Sequence, residues 1–231
     1  MAIHQLESKV NVRYKLDLKN RDTDSEPSNE EGEGKKNMDY IMRMESFMRH
    51  YDFNVSENYL KFDLQELGDC SQFPYGYLSE DSNASPCLLI GLNRIWDWVP
   101  TPISEADFDE NSWPAEFRSH WDKQTVKNFV WFHCEYLEKC DKDNCQDGEE
   151  EMLGDILYYP EHRGIDIDYF PFFGISENST YHTPVVAIKL KPQVTNKLLV
   201  VECRTYYKGV IHETKFGKQM GLVQFEVILR D

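Results

Sequence analysis

The sequence has no long hydrophobic run. Its longest unbroken apolar stretches, such as Leu88 to Ile90, Pro184 to Ile188 and Leu198 to Val201, fall far short of the roughly 20 residues a membrane-spanning helix needs. The opening residues Met1-Ala2-Ile3-His4-Gln5 carry no signal-peptide core. The expectation is a chain that is soluble as it stands, with no direct membrane insertion. Positive charge is scarce too: 25 Lys plus Arg face 41 Asp plus Glu, a formal net charge of −16. Such a field argues against nucleic acid or anionic lipid as partner, since both reward clustered cations by releasing counterions. The glycines do not gather into a phosphate cradle. None of the histidines (His4, His50, His120, His133, His162, His182, His212) lies in a nucleophile-elbow or metalloprotease motif. A triad assembled across the fold needs geometry rather than adjacency, yet no Ser or Cys is nominated as activated. The chain reads as a non-enzyme with no cofactor.

What is present suits a folded domain. With 231 residues, 40% of them hydrophobic and 13% aromatic, the chain can bury a core without metals. Leu18 to Lys36 is rich in Asp, Ser, Glu, Asn and Gly, so residues 1–36 read as a disordered or extended amino-terminal segment and 37–231 as the folded domain. Asn37 is placed to cap a helix whose stripe is Tyr40, Ile41, Met44, Phe47, Met48 and Tyr51. Beyond it the period changes to two. Leu60, Phe62 and Leu64 alternate with Lys61, Asp63 and Gln65, and Val223, Phe225, Val227 and Leu229 alternate with Gln224, Glu226, Ile228 and Arg230. Apolar runs at Cys87 to Leu92, Val126 to Phe132, Val185 to Leu190 and Leu198 to Cys203 add further strands. Without a regular strand–helix–strand alternation, the expected fold is an all-β antiparallel sandwich with one flanking α-helix.

Three features bear on chemistry and compartment. Acid concentrates between Glu105 and Glu151, where 14 acidic residues face 5 basic ones, and reads as a solvated face. Within it, His133, Cys134, Cys140 and Cys145 raise the question of zinc. Their spacing fits poorly with tight ligand pairs, and a Cys140 to Cys145 bridge closing an acidic loop is the simpler reading. The even cysteine count and the sequons at Asn54, Asn83 and Asn178 lean toward an oxidising, glycosylating compartment. Asp166 and Asp168, two residues apart beside Ile165 and Ile167, read as the wet face of a strand rather than an acid/base pair.

The run Tyr169-Phe170-Pro171-Phe172-Phe173-Gly174 crowds four aromatic rings around one Pro and closes on Gly. It resembles the Tyr-Tyr-Pro-Tyr-Tyr-Gly hallmark of the beta subunits of sodium/potassium- and potassium/proton-transporting P-type ATPases. Leu67-Gly68-Asp69-Cys70-Ser71, Pro86-Cys87 through Ile95, Tyr181 through Ile188 and Val201-Glu202-Cys203-Arg204 resemble further segments of that family in the same order. The resemblance implies an immunoglobulin-like extracellular sandwich in which Cys70 pairs with Cys87 and Cys134 with Cys203, leaving Cys140 and Cys145 for each other. It also implies a non-catalytic accessory role beside a P-type ATPase alpha subunit at the extracellular face of the plasma membrane. A pump-independent adhesion or junction role for the same domain is the alternative. Two departures stand out. Leu60 occupies the place of a family cysteine, and the chain opens about where the family's membrane helix ends.

Overall fold

The computed structural model describes residues 14–19, 34–57, 59–78, 84–108, 113–137, 153–174, 180–213 and 221–230. The elements in chain order are β1 (Tyr14–Lys19), α1 (Gly34–Met48), β2 (Cys87–Gly91), α2 (Ala115–Asp122), β3 (Phe129–Tyr136), β4 (Asp155–Tyr159), β5 (Gly164–Asp166), β6 (Val185–Lys191), β7 (Leu198–Tyr206) and β8 (Leu222–Arg230). Among the described residues these strands form two sheets. One has the order β1-β8-β7-β3-β5, the other β2-β6-β4. Every pairing is antiparallel except that of β1 with β8, which runs parallel from Tyr14 opposite Phe225 to Lys19 opposite Arg230. The all-β sandwich expected from the alternating pattern is the fold observed.

The inner faces of the two sheets meet in one core. Val186, Ile188 and Leu190 from β6 face a cluster that includes Val130, Phe132, Val201, Phe225 and Val227 from the larger sheet. Each such side chain, fully buried, stabilises by roughly 1.5–3 kcal/mol relative to exposure. Helix α1 adds Ile41, Met44 and Met48 to the same core, so the expected stripe does face inward. The strands β3 and β7 are covered on their outer face as well. There Trp131 and Tyr206 join Ile103, Phe117 and Trp121 in a smaller satellite core beneath α2.

Several sequence expectations need correction. Helix α1 begins at Gly34, so Asn37 lies inside it, buried, and donates its side-chain amide to Tyr77 O at 3.3 Å instead of capping the helix. The alternation at Leu60 to Leu64 is not a strand. Asp63 Oδ1 accepts from Gln65 N at 2.9 Å and starts a 3-10 segment over Leu64–Ser71, leaving Leu60 50% exposed. The third strand is displaced from 126–132 to Phe129–Tyr136, because Val126 is 58% exposed and leads in from a turn. A second helix, α2, joins the expected one. Asp166 ends β5 and accepts from Asp168 N at 3.0 Å, so the two acids shape a turn and do not share a strand face. Strand β1 lies within the first 36 residues, while residues 20–33 are outside the described ones.

The disulfides act within layers rather than between them. Cys134 and Cys203 are directly opposed on adjacent antiparallel strands β3 and β7, with Cα atoms 4.0 Å apart. Both cysteines of this bridge therefore belong to one sheet, and the bridge does not link the two sheets. Cys70 joins the 3-10 segment to the first residue of β2, Cys87, with a Cα separation of 5.6 Å. Cys140 and Cys145 lie outside the described residues.

Candidate interaction surface

The aromatic run starts as β5 gives way to a 3-10 turn at Ile167–Tyr169. Its rings divide between two tasks. Tyr169 packs on Phe62 at 5.7 Å and Phe170 meets Trp98 edge-on at 5.8 Å. Phe172 stacks on Tyr59 at 6.4 Å and tilts against Tyr181 at 5.1 Å. The Arg94 guanidinium sits over both Phe172 and Tyr181, at 5.7 and 5.5 Å, and donates to Thr183 Oγ1 from Nε and a terminal nitrogen at 3.0 and 2.7 Å. A cation held over two ring faces is favoured by the ring quadrupoles.

Backbone bonds fix the outer end. Asp97 N donates to Phe172 O at 3.0 Å, which ties the segment after β2 to the run. The Tyr59 hydroxyl accepts from Phe173 N and donates to Gly174 O, each at 2.8 Å. Gly174 adopts φ +91°, and a Cβ there would lie 2.9 Å from the Trp96 indole. The glycine thus permits both the left-handed turn and the close approach of the indole. Phe173 consequently points away from the core. With Trp96 it forms an edge-to-face pair at 6.0 Å and 83°, and the two are 48% and 64% exposed. An outward aromatic pair on a clamped support costs little entropy to present, which is what a binding anchor requires.

Of the tyrosines at this surface, Tyr51, Tyr169 and Tyr181 keep their protons at neutral pH. Burial pushes Tyr181 up to about 12 against the opposing effect of Arg94, and burial likewise pushes Tyr169 to about 12. Tyr51, raised by burial as well, donates to Thr183 O at 2.5 Å. His182 is buried and its Nε2 faces Phe53 O at 2.9 Å. The hydrogen bonds of the other described histidines also run to carbonyls, apart from His133, which faces Arg163. Cys134 is committed to its disulfide, and among the described residues no group of three or more His, Cys, Asp or Glu is placed to hold a metal.

Of the sequons, Asn54 is exposed, whereas Asn83 and Asn178 lie outside the described residues. The sequence reading missed Tyr59 and Trp96 as parts of this surface. The signal was available in Trp96-Asp97-Trp98, two indoles in three residues next to the segment beginning at Pro86.

The profile of the Sodium / potassium ATPase beta chain family matches residues 14–225. The chain belongs to that family. It is 31% identical over 174 residues to a probable sodium/potassium-transporting ATPase subunit beta-3 of Caenorhabditis briggsae, covering 74% of this chain and 45% of the relative. It is 27% identical over 166 residues to the sodium/potassium-transporting ATPase subunit beta-1 of Drosophila melanogaster, covering 71% and 48%. Protein ATP1B4 of Bos taurus is 32% identical over 184 residues, covering 78% and 41%. The chain spans about half the length of the curated relatives it matches. Among its described residues, no helix is long and apolar enough to cross a membrane. In this beta-chain sandwich the aromatic run both builds the packing and supplies Phe173 to the outward pair with Trp96.

Proposed function

We propose that this chain is the non-catalytic extracellular domain of an accessory subunit that docks on the alpha subunit of a sodium/potassium-transporting ATPase, supporting that subunit's folding, delivery to the plasma membrane and transport. The observation that carries the reading is the exposed Trp96–Phe173 pair, held on a support that Tyr59, Arg94 and Gly174 make rigid. The family membership supports the choice of partner. Trp96 and Phe173 enter a desolvated pocket on the partner, and Arg94, over Phe172 and Tyr181, supplies a cation in a chain that is otherwise strongly acidic. The test is co-purification with an alpha subunit after detergent extraction. The wild-type chain co-purifies, and W96A/F173A loses roughly tenfold or more of the bound fraction, because each truncated anchor costs about 2 kcal/mol or more. A folded wild-type chain that never accompanies an alpha subunit removes the proposal. Binding unaffected by W96A/F173A relocates the contact.

A further inference from the structure

Four of the chain's seven histidines surround the satellite core. Helix α2 lays Phe117 and Trp121 over Trp131 and Tyr206, and Phe117 stacks on Tyr206 at 4.0 Å. His120, on α2 itself, is edge-on to Trp131 at 6.3 Å, and His133 lies 6.2 Å from Phe117. His162 packs on Phe129 at 4.5 Å and His212 on Tyr206 at 5.0 Å. Three of them aim Nε2 at a backbone carbonyl: His120 at His162 O (3.0 Å), His162 at Gly164 O (3.1 Å) and His212 at Thr205 O (2.8 Å). Each donates from Nε2–H, a tautomer assigned from its acceptor, and the neutral ring carries no second proton. His133 instead turns Nδ1 to the Arg163 guanidinium at 3.4 Å, a contact that requires an unprotonated acceptor nitrogen.

The surroundings oppose a second proton on every ring. Burial acts first in all four and lowers them below the ordinary histidine range, His133 to about 4. Arg163 and Lys123 further oppose charging of His120, with Glu116 favouring it. His133 meets Arg163, Arg204 and His120 against Glu116. His162 faces His120 against Asp166, and His212 faces Arg204 against Glu202.

We propose that α2 is an acid-released cover, which lifts from the outer face of β3 and β7 when these four histidines become protonated, while the sandwich beneath stays folded. Two observations make the opening local. The satellite core is a separate cluster from the main one, so it opens without parting the sheets. The indole N–H groups of Trp121 and Trp131 are buried with no hydrogen-bond partner among the described residues, so opening hydrates them and offsets part of its own cost. The sign follows from linkage. The closed form binds fewer protons than the open one, so its stability is whole above about pH 6.5 and falls as the pH drops toward the lowered native values.

Hydrogen exchange of the full chain at pH 7.5 and 5.5, corrected for intrinsic rates, tests this. Protection of the α2 amides falls roughly tenfold or more at pH 5.5, the factor that one strongly suppressed histidine gives a unit below its unfolded value. Amides of β6 and β7 keep their protection. A variant with His120, His133, His162 and His212 all changed to Gln loses the α2 response, whereas H50Q, at an exposed position in the 3-10 turn that follows α1, retains it. If the fourfold variant does not fold, H120Q takes its place and must show a weakened response. Protection of α2 that ignores pH, that is lost together with β6, or that responds fully in the glutamine variants overturns the proposal.

Discussion

Tyr59 and Gly174 are joined by a hydrogen bond of 2.8 Å from the phenol to the glycine carbonyl, although 115 residues separate them in the chain. The same oxygen accepts from Phe173 N, so one hydroxyl fixes the two residues that aim the Phe173 ring outward. Y59F removes both bonds while keeping the ring. It lowers unfolding stability by about 1–2 kcal/mol, read as a shift in urea midpoint at constant slope. G174A keeps the hydroxyl but strains the φ and drives a methyl into the Trp96 indole. It costs about 1–3 kcal/mol and weakens alpha-subunit capture beyond what Y59F does.

The two bridges close loops of very different length, with sequence separations of 69 for Cys134–Cys203 and 17 for Cys70–Cys87. In the chain-entropy account, C134A/C203A loses about 4 kcal/mol and C70A/C87A about 3 kcal/mol. Urea unfolding of the two double variants is the check. Equal losses would show that native strain or packing, rather than loop closure, governs both.

Asp69 and Lys189 form an ion pair at 2.8 Å between the 3-10 segment and β6, and the hydrogen bond from Lys189 holds the Asp69 carboxyl below its ordinary range. A depressed carboxyl contributes stability above its unfolded pKa and loses it as pH falls through the lowered native value. The Asp69 side chain is largely exposed, so D69N costs no more than about 1 kcal/mol at pH 7, and less at high salt. Comparing urea midpoints of D69N and wild type at pH 7 and pH 3 should show the difference shrink at the lower pH.

Asn54 stands exposed just beyond the 3-10 turn that follows α1. Expression through a glycosylating secretory route gives a species whose electrophoretic mobility rises on enzymatic deglycosylation, and N54Q removes one step of that shift. An unchanged ladder in N54Q would leave the site unoccupied.

The parts of the fold legible in the sequence are those with a single period. The α1 stripe buries Ile41, Met44 and Met48 as its spacing predicts, and Phe225, Val227 and Leu229 are buried as their alternation predicts, although Ile228 between the last two is buried as well. Strand β3 is buried on both faces from Val130 to Cys134, which erases alternation and hides its limits. Helix α2 offers only Phe117 and Trp121 as apolar signals across eight residues. Leu60 to Leu64 alternates by accident, with Phe62 alone deeply buried. The aromatic run was conspicuous as composition, but its partners Tyr59 and Trp96 reach it only through the fold. The Trp96-Asp97-Trp98 cluster marks the indoles as unusual, but no local pattern says which residues they meet.

Strand β1 completes its sheet against β8, so the first strand among the described residues waits for the last one. A ribosome has to deliver Arg230 before Lys19 has a neighbour to bond. The sheet edge therefore closes only after β8 has been made, and until then an unpaired strand must be kept from other partners. Cells that make this protein need that interval guarded, and a premature stop shortly before β8 would leave both β1 and the outer edge of β7 without their mates.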